Sequence, residues 1–286
     1  MSEDVRTKLQ ALSSGQSMRK RQSPKRKKST PKERVQKPKV EIQDVSHETD
    51  SVEEHANVLF KPNEGPQTEF LAASEREVLY GGSAGGGKSY AMLADPLRYM
   101  GHPQFSGLLL RHTTEELREL IFKSQELYPK IWPGIKWSER KMQWTAPSGA
   151  RLWMSYLDRD EDVLRYQGLA FSWIGFDELT QWATPYAWNY MRSRLRSTAT
   201  DLPIFMRATT NPGGRGHHWV KKMFIDPSPY NRSFDATDID TTEVLRYPAG
   251  HSKAGKPLFK RRFIPARLSD NPYLSQAGDY EAMLLS

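Results

Sequence analysis

The sequence predicts a three-layer α/β domain with a mostly parallel sheet, preceded by a disordered tail. Three observations carry that prediction. An apolar run turns through glycines into a helical pattern near residue 80, a second ends in paired acids at residue 177, and a third ends in Thr-Thr-Asn at residue 211. Strand patterns separated by helical ones build a sheet covered on both faces.

The first run is Glu77-Val78-Leu79-Tyr80-Gly81, and Tyr90 to Ala94 reads as the helix that follows it. Between them, Gly82 to Ser89 fits the phosphate-loop pattern G-x-x-x-x-G-K-[ST] without a mismatch. Glycines let backbone N–H groups wrap a phosphate chain where a Cβ would clash, and a helix start adds partial positive charge. Lys88 can then reach the β- and γ-phosphates, while the Ser89 hydroxyl can ligate Mg²⁺. The candidate nucleotide-binding residues are thus Gly82, Ser83, Ala84, Gly85, Gly86, Gly87, Lys88 and Ser89. A glycine-rich turn that merely precedes a lysine is the bland alternative, and the strand-then-helix context weighs against it.

A length of 286 residues fits one or two domains. With no cysteine, a disulfide scaffold and a thiolate metal site are excluded. No apolar run approaches the ~18 residues that span a bilayer, and the N-terminus has no signal-peptide core, so a soluble intracellular protein without a membrane partner is expected. The net charge of +8 is unevenly placed. Residues 1–40 hold 13 Lys/Arg against three acids, so the remainder sums to −2. The basic arm and the acidic stretch after it are poor in core residues, and residues 1–57 are read as a disordered tail. Such an arm can bind nucleic acid, or the acidic stretch can screen it.

A folded domain is expected over 58–275. Pro66 to Leu71 reads as one or two helical turns, and Phe105 to Arg111 as a buried strand. Thr113 and Glu116 have capping-box spacing and open an amphipathic helix through about Tyr128. Met142–Trp144 and Ala150–Tyr156 flank Pro147-Ser148-Gly149 and read as a hairpin. Its tryptophans, with Trp132 and Trp137, are expected in a core rather than stacked on bases. Asp160 to Tyr166 reads as a short helix, and Thr184 to Arg196 as a helix with a basic side of Arg192, Arg194 and Arg196.

Phe171-Ser172-Trp173-Ile174-Gly175-Phe176-Asp177-Glu178 has the form of a Walker B strand. Asp177 can hold the Mg²⁺ water shell, and Glu178 can take a proton from attacking water. Neighbouring strand residues point to opposite faces, so the two acids divide the work unless the strand ends between them. Leu202 to Thr210 is a further strand. Its end, Thr209-Thr210-Asn211, offers groups able to touch a γ-phosphate, although a turn that simply caps the strand is the better local reading. His217-His218 lacks a third ligand at metal spacing and reads as surface.

In this order the motifs amount to a resemblance. Gly81 to Ser89, Arg165-Tyr166-Gln167-Gly168, Phe176 to Trp182 and Thr209 to Gly213 together resemble the ATPase domain of the large terminase subunit of tailed bacteriophages. Arg262 to Ala266 and Asp270 to Leu274 resemble segments that follow this core, and the likeness spans about residues 62–275. It implies an ASCE-type P-loop NTPase that hydrolyses ATP with Mg²⁺ to drive double-stranded DNA into a procapsid. It implies that Gln67 recognises adenine and that Lys88, Glu178 and an arginine are catalytic. Ser89 and Asp177 would hold the metal, and Thr209, Thr210 and Asn211 would couple hydrolysis to movement. Arg165 is the candidate arginine donated to a neighbour, with Arg111 as runner-up. The Thr209–Asn211 strand is expected between the P-loop and Walker B strands.

The resemblance further implies a homo-oligomeric ring, a portal protein and small terminase subunit as partners, and the host cytoplasm, transiently at the procapsid, as location. The family usually carries a C-terminal nuclease. Here residues 276–286 read as the start of a linker, and nuclease activity is not expected of the chain. Two other readings stay open: a nucleotide-gated DNA-binding switch, or another P-loop ATPase or kinase. The paired Asp177-Glu178 and strand-end Thr-Thr-Asn suit water as acceptor better than a kinase substrate.

Overall fold

A computed structural model describes residues 60–83, 85 and 87–270. The expected tail over 1–57 and linker over 276–286 lie outside the described residues. Nine strands form one sheet in the order β3-β4-β5-β2-β6-β7-β1-β9-β8. The six strands from β5 to β9 in that order pair in parallel: β5 (Arg151–Tyr156), β2 (Ser106–Arg111), β6 (Trp173–Phe176), β7 (Phe205–Thr210), β1 (Glu77–Gly82) and β9 (Lys260–Ala266). Short antiparallel strands close both edges, β3 (Lys136–Ser138) and β4 (Gln143–Thr145) on one side and β8 (Ser233–Asp235) on the other.

Alternation along each strand divides the core into two layers. Val78 and Tyr80 of β1 pack with Phe70, Met92 and Leu93 from helices Pro66–Ala72 and Lys88–Ala94, and with the long helix Thr114–Ile131. Leu79, Met206 and Ala208 face the other way, against Trp188 and Met191 of helix Tyr186–Arg192 and Trp219 of helix His217–Val220. The long helix opens on the expected capping box: the Thr113 hydroxyl accepts from Glu116 N, and the Glu116 carboxylate accepts from Thr113 N, each at 3.3 Å. The hairpin tryptophans are core. Trp144 is buried beside Tyr128 and donates to the Ser124 hydroxyl, and Trp132 donates to the Leu97 carbonyl.

Two sequence expectations change. The helix expected over Thr184 to Arg196 runs only from Tyr186 to Arg192. Beyond it the chain unwinds so that Phe171 and Leu195 bridge: Phe171 N donates to Arg194 O, and Arg196 N to Phe171 O. There is consequently no continuous basic side. Arg192 is ion-paired with the fully buried Glu77, which Arg261 of β9 also contacts at 2.7 Å. The Arg262 to Ala266 segment does not follow the core but completes it, as β9 in register with β1.

A second buried charge group lies in the other core layer. Asp95 accepts from Trp173 Nε1 at 2.7 Å, pairs with Arg98, and lies 3.4 Å from Arg207 Nε. Asp95, Glu77, Arg207 and Arg261 are all at most 1 % exposed. Charges this deep require their partners, so these groups fix how strands and helices dock and leave the carboxyl edge of the sheet to carry the site.

Candidate active site

The sheet order gathers the motifs at one edge. β7 lies between β1 and β6, so the strand ending in Thr209-Thr210-Asn211 separates the phosphate loop from Asp177-Glu178. The phosphate loop leaves β1 under close constraint. Gly82 has φ +142°, and a Cβ there would stand 1.9 Å from the Ala266 carbonyl oxygen. Ser83 N donates to that same oxygen at 3.1 Å. Gly87 adopts φ 71° at the start of helix Lys88–Ala94. Ala84 and Gly86 lie outside the described residues.

Lys88 is buried and donates to the Ser83 carbonyl at 2.6 Å, reaching back across its own loop. Burial lowers its pKa, opposed by the negative charges of Glu178 and Asp177. Gln67 lies against the same loop. Its Nε2 donates to Gly87 O at 2.9 Å, and its Oε1 accepts from Asn63 N at 2.6 Å.

The difficulty of two adjacent acids on one strand is resolved by the backbone. β6 ends at Phe176, and Glu178 takes a left-handed conformation with φ 60°. For a non-glycine residue this is a strained state that its surroundings must hold. Asn211 and Thr209 hold it. Glu178 Oε1 accepts from Asn211 Nδ2 at 2.9 Å, Oε2 accepts from Asn211 N at 3.1 Å, and Glu178 N donates to Thr209 Oγ1 at 3.0 Å. Thr209 in turn donates to Asp177 Oδ1. Burial raises the Glu178 pKa and the Asp177 charge adds to this, opposed by Arg111, Lys88 and the Asn211 N–H.

Thr210 faces the opposite layer and donates to the Thr180 hydroxyl at 2.9 Å, tying the end of β7 to the turn after β6. The carbonyl of Thr180 accepts from Gly216 N at 2.7 Å, so both post-strand turns are laced together. Sequence reasoning passed over Thr180, and an isolated threonine after an Asp-Glu pair offers no signal for it.

Asp177 is fully buried, and its Oδ2 has no hydrogen-bond partner. Arg111, at the end of β2, puts its Nε 3.4 Å from that oxygen, and its Nε and Nη1 are likewise unpartnered. An anionic oxygen with spare capacity is the kind of donor a divalent cation takes. Among the described residues no cluster of three or more His, Cys, Asp or Glu could hold a metal ion.

Arg165 stands elsewhere on the same rim. It is exposed, pairs with Asp162 at 3.3 Å and donates to the Tyr156 carbonyl at 3.0 Å. Tyr156 is in register with Arg111, so Arg165 sits one strand further out. His217 and His218 are exposed, and His217 Nδ1 accepts from Gly213 N.

A mostly parallel sheet with a phosphate loop after β1, acids after β6 and the intervening β7 defines an α/β P-loop NTPase fold of the ASCE type. The chain belongs to the family described as terminase large subunit, T4likevirus-type, N-terminal, whose model matches residues 79–252. It is similar to the large terminase of a thermophilic bacteriophage in complex with ADP, at 14 % identity and a TM-score of 0.51, over 76 % of this chain and 48 % of that one. A second crystal form of that terminase matches at 13 % identity and TM-score 0.51, over 76 % and 50 %. The ATPase domain of the Thermus phage P74-26 large terminase matches at 12 % and 0.49, over 79 % and 88 %. At these identities the likeness to the ADP-bound terminase bears on the fold alone. The chain spans about half the length of that protein. No curated protein matches it.

Proposed function

We propose that the chain hydrolyses ATP and that hydrolysis drives double-stranded DNA into a procapsid, as the motor part of a terminase large subunit. The observation that carries this reading is the grip of Asn211 on Glu178. A buried carboxylate held by two donors, beside an unpartnered Asp177 oxygen and a buried lysine, suits a base that must orient a water before it takes its proton. Bound Mg²⁺ would supply charge at the transferring phosphate, and Ser89 and Asp177 would hold it. Lys88 supplies positive charge to the phosphates, and the loop from Gly82 to Gly87 offers N–H groups. Gln67, anchored to Gly87, lies where a base next to that loop could meet its amide.

We assign the trans-acting role to Arg165. Arg111 faces the buried Asp177 of its own chain, whereas Arg165 is exposed at the rim, and its partners there, Asp162 and the Tyr156 carbonyl, are surface groups it can exchange for a neighbour's phosphate in a ring. The portal protein, the small subunit and a transient place at the procapsid belong to the same reading.

Glu178→Gln tests it. The variant should bind ATP yet release phosphate at least ~100-fold more slowly, the range for losing a general base. Release at the wild-type rate would remove Glu178 from the mechanism. Tight nucleotide binding with no turnover in the wild type, duplex DNA present, would favour a nucleotide-gated switch instead.

A further inference from the structure

The outer edge of the sheet carries a predominantly basic surface. Residues 127–157 contain five cations, Lys130, Lys136, Arg140, Lys141 and Arg151, and a single acid, Glu139. Outside this segment and the basic arm the chain sums to −6, so the concentration is local.

The fold aligns these cations. Lys136 of the outermost strand β3 is in register with Thr145 of β4, which is in register with Arg151 of β5. Residues opposed in an antiparallel ladder project to the same side. Trp137, Trp144 and Leu152 form the row on the other face, packed into the core under the long helix. Arg140 and Lys141 occupy the turn joining β3 to β4, next to Glu139, whose carboxylate accepts from Trp137 Nε1. At ~3.4 Å per residue the cations follow the strand pair for about 10 Å.

Lys136, Arg140, Lys141 and Arg151 are all exposed. Some surface cations elsewhere have carboxylate partners, Lys123 with Glu119, Lys221 with Asp226 and Arg165 with Asp162, while others such as Arg118 and Lys256 are exposed and outside any ion pair, so what sets the edge apart is the strand register that gathers its cations. The ion pairs of the described residues include none of the four edge cations. A lysine on an edge strand also discourages edge-to-edge pairing. That role accounts for Lys136 on β3. It does not account for Arg151 on the third strand or for two cations in the turn.

We propose that this edge docks the phosphate backbone of duplex DNA. The proposal rests on the reading of the chain as a DNA motor and adds which surface of the domain meets the duplex. Charge complementarity commits it to the DNA backbone. The edge reads no bases and binds without regard to sequence.

The test is a salt titration of duplex binding by the full chain. Replacing Lys136, Arg140, Lys141 and Arg151 together by Gln should flatten the slope of log affinity against log salt by about 2–4, at ~0.9 for each phosphate no longer neutralised. A control chain with Arg118, Arg232, Lys253 and Lys256 replaced by Gln, four exposed cations elsewhere, should keep the wild-type slope. Should the edge variant fail to fold, the turn pair Arg140→Gln and Lys141→Gln lies outside the strand pairing and should still flatten the slope by about 1–2. Equal slopes for the wild type and either edge variant would overturn the proposal, as would equal flattening in the control. Failure of the wild-type chain to bind duplex at all would overturn the motor reading with it, which separates the two failures.

Discussion

Asn211→Ala is the sharpest perturbation of the site. The substitution removes the Nδ2–Oε1 bond of 2.9 Å and leaves the backbone N–H of residue 211, so Glu178 keeps one donor of two. A hydrogen bond to a charged group contributes about 1.5–3 kcal/mol. At ~1.4 kcal/mol per tenfold, losing the orienting bond should slow the chemical step about 10- to 100-fold. The assay is single-turnover phosphate release at saturating ATP, with nucleotide affinity measured separately. Affinity should change little, because Asn211 touches the acid and not the phosphate loop. The decisive measurement is a double-mutant cycle with Glu178→Gln. Residues that act as a unit are non-additive, so Asn211→Ala should cost almost nothing once Glu178 is already Gln. Full additivity of the two losses, or a wild-type rate in the single variant, would refute the argument that Asn211 acts through Glu178.

Three further outcomes follow from the same geometry. Mixing Arg165→Ala with Glu178→Gln protein should recover part of the activity, since one kind of interface in a mixed ring is intact, whereas Arg111→Ala should not be rescued this way; recovery with Arg111→Ala but not with Arg165→Ala, with assembly confirmed by light scattering, would exchange the roles. Glu77→Gln leaves the buried Arg261 and the partly buried Arg192 without their carboxylate, which should cost about 3–5 kcal/mol and lower the melting temperature by roughly 6–20 °C. Burial raises the pKa of Glu77, but the charges and hydrogen bonds of Arg192 and Arg261 prevail and hold it below the usual range. Its stabilisation is therefore present above about pH 4.3, the unfolded glutamate value, and is lost as pH falls through the lower folded value; melts at pH 7 and pH 3.5 should differ more for the wild type than for Glu77→Gln, and equal differences would exclude Glu77 as a source of acid sensitivity. Finally, Gly82→Ala would drive a Cβ into the backbone of β9, so little soluble protein is expected, and a wild-type melting curve would contradict the close approach of β1 and β9.

The parts of the fold that sequence showed are those where one residue type is chemically required. Glycines before Lys88-Ser89, a Thr-x-x-Glu helix start and an apolar run before Asp177 each mark an element whose chemistry is local. β9 escaped because its chemistry is not local. The run Lys260-Arg261-Arg262-Phe263-Ile264-Pro265-Ala266 opens on three cations and holds a proline, and only resemblance, not a strand pattern, singled out its Arg262 to Ala266. It becomes a strand because Arg261 finds Glu77 on β1, and because Pro265 lies beyond the three residues that β8 pairs. The left-handed turn at Glu178 was equally hidden. Nothing in Phe-Asp-Glu-Leu announces φ 60°, and only the donors on β7 make that conformation tenable. The local preference for reading Thr209-Thr210-Asn211 as a simple strand cap had the same cause, since the carboxylates it holds lie more than 30 residues away.

The arginines show why charge read along a chain cannot locate a binding surface. Arg192, Arg194 and Arg196 looked like one basic side of a helix, yet they have three different situations. Arg192 is bound to a buried carboxylate 115 residues away, Arg194 lies over the Tyr190 ring, and Arg196 sits past the helix end on a bridged segment. A cation already paired with a buried acid would leave that acid uncompensated if it moved to a phosphate, so such a residue is a poor ligand whatever its sign. The edge cations of β3, β5 and the intervening turn are scattered over 16 residues of sequence and become one surface only through strand register. Free charge, rather than net charge, is what a polyanion meets. By that criterion Arg192 drops out, and the strand register that gathers the exposed Lys136 and Arg151 beside the Arg140-Lys141 turn marks this edge as the place where the folded domain would hold DNA.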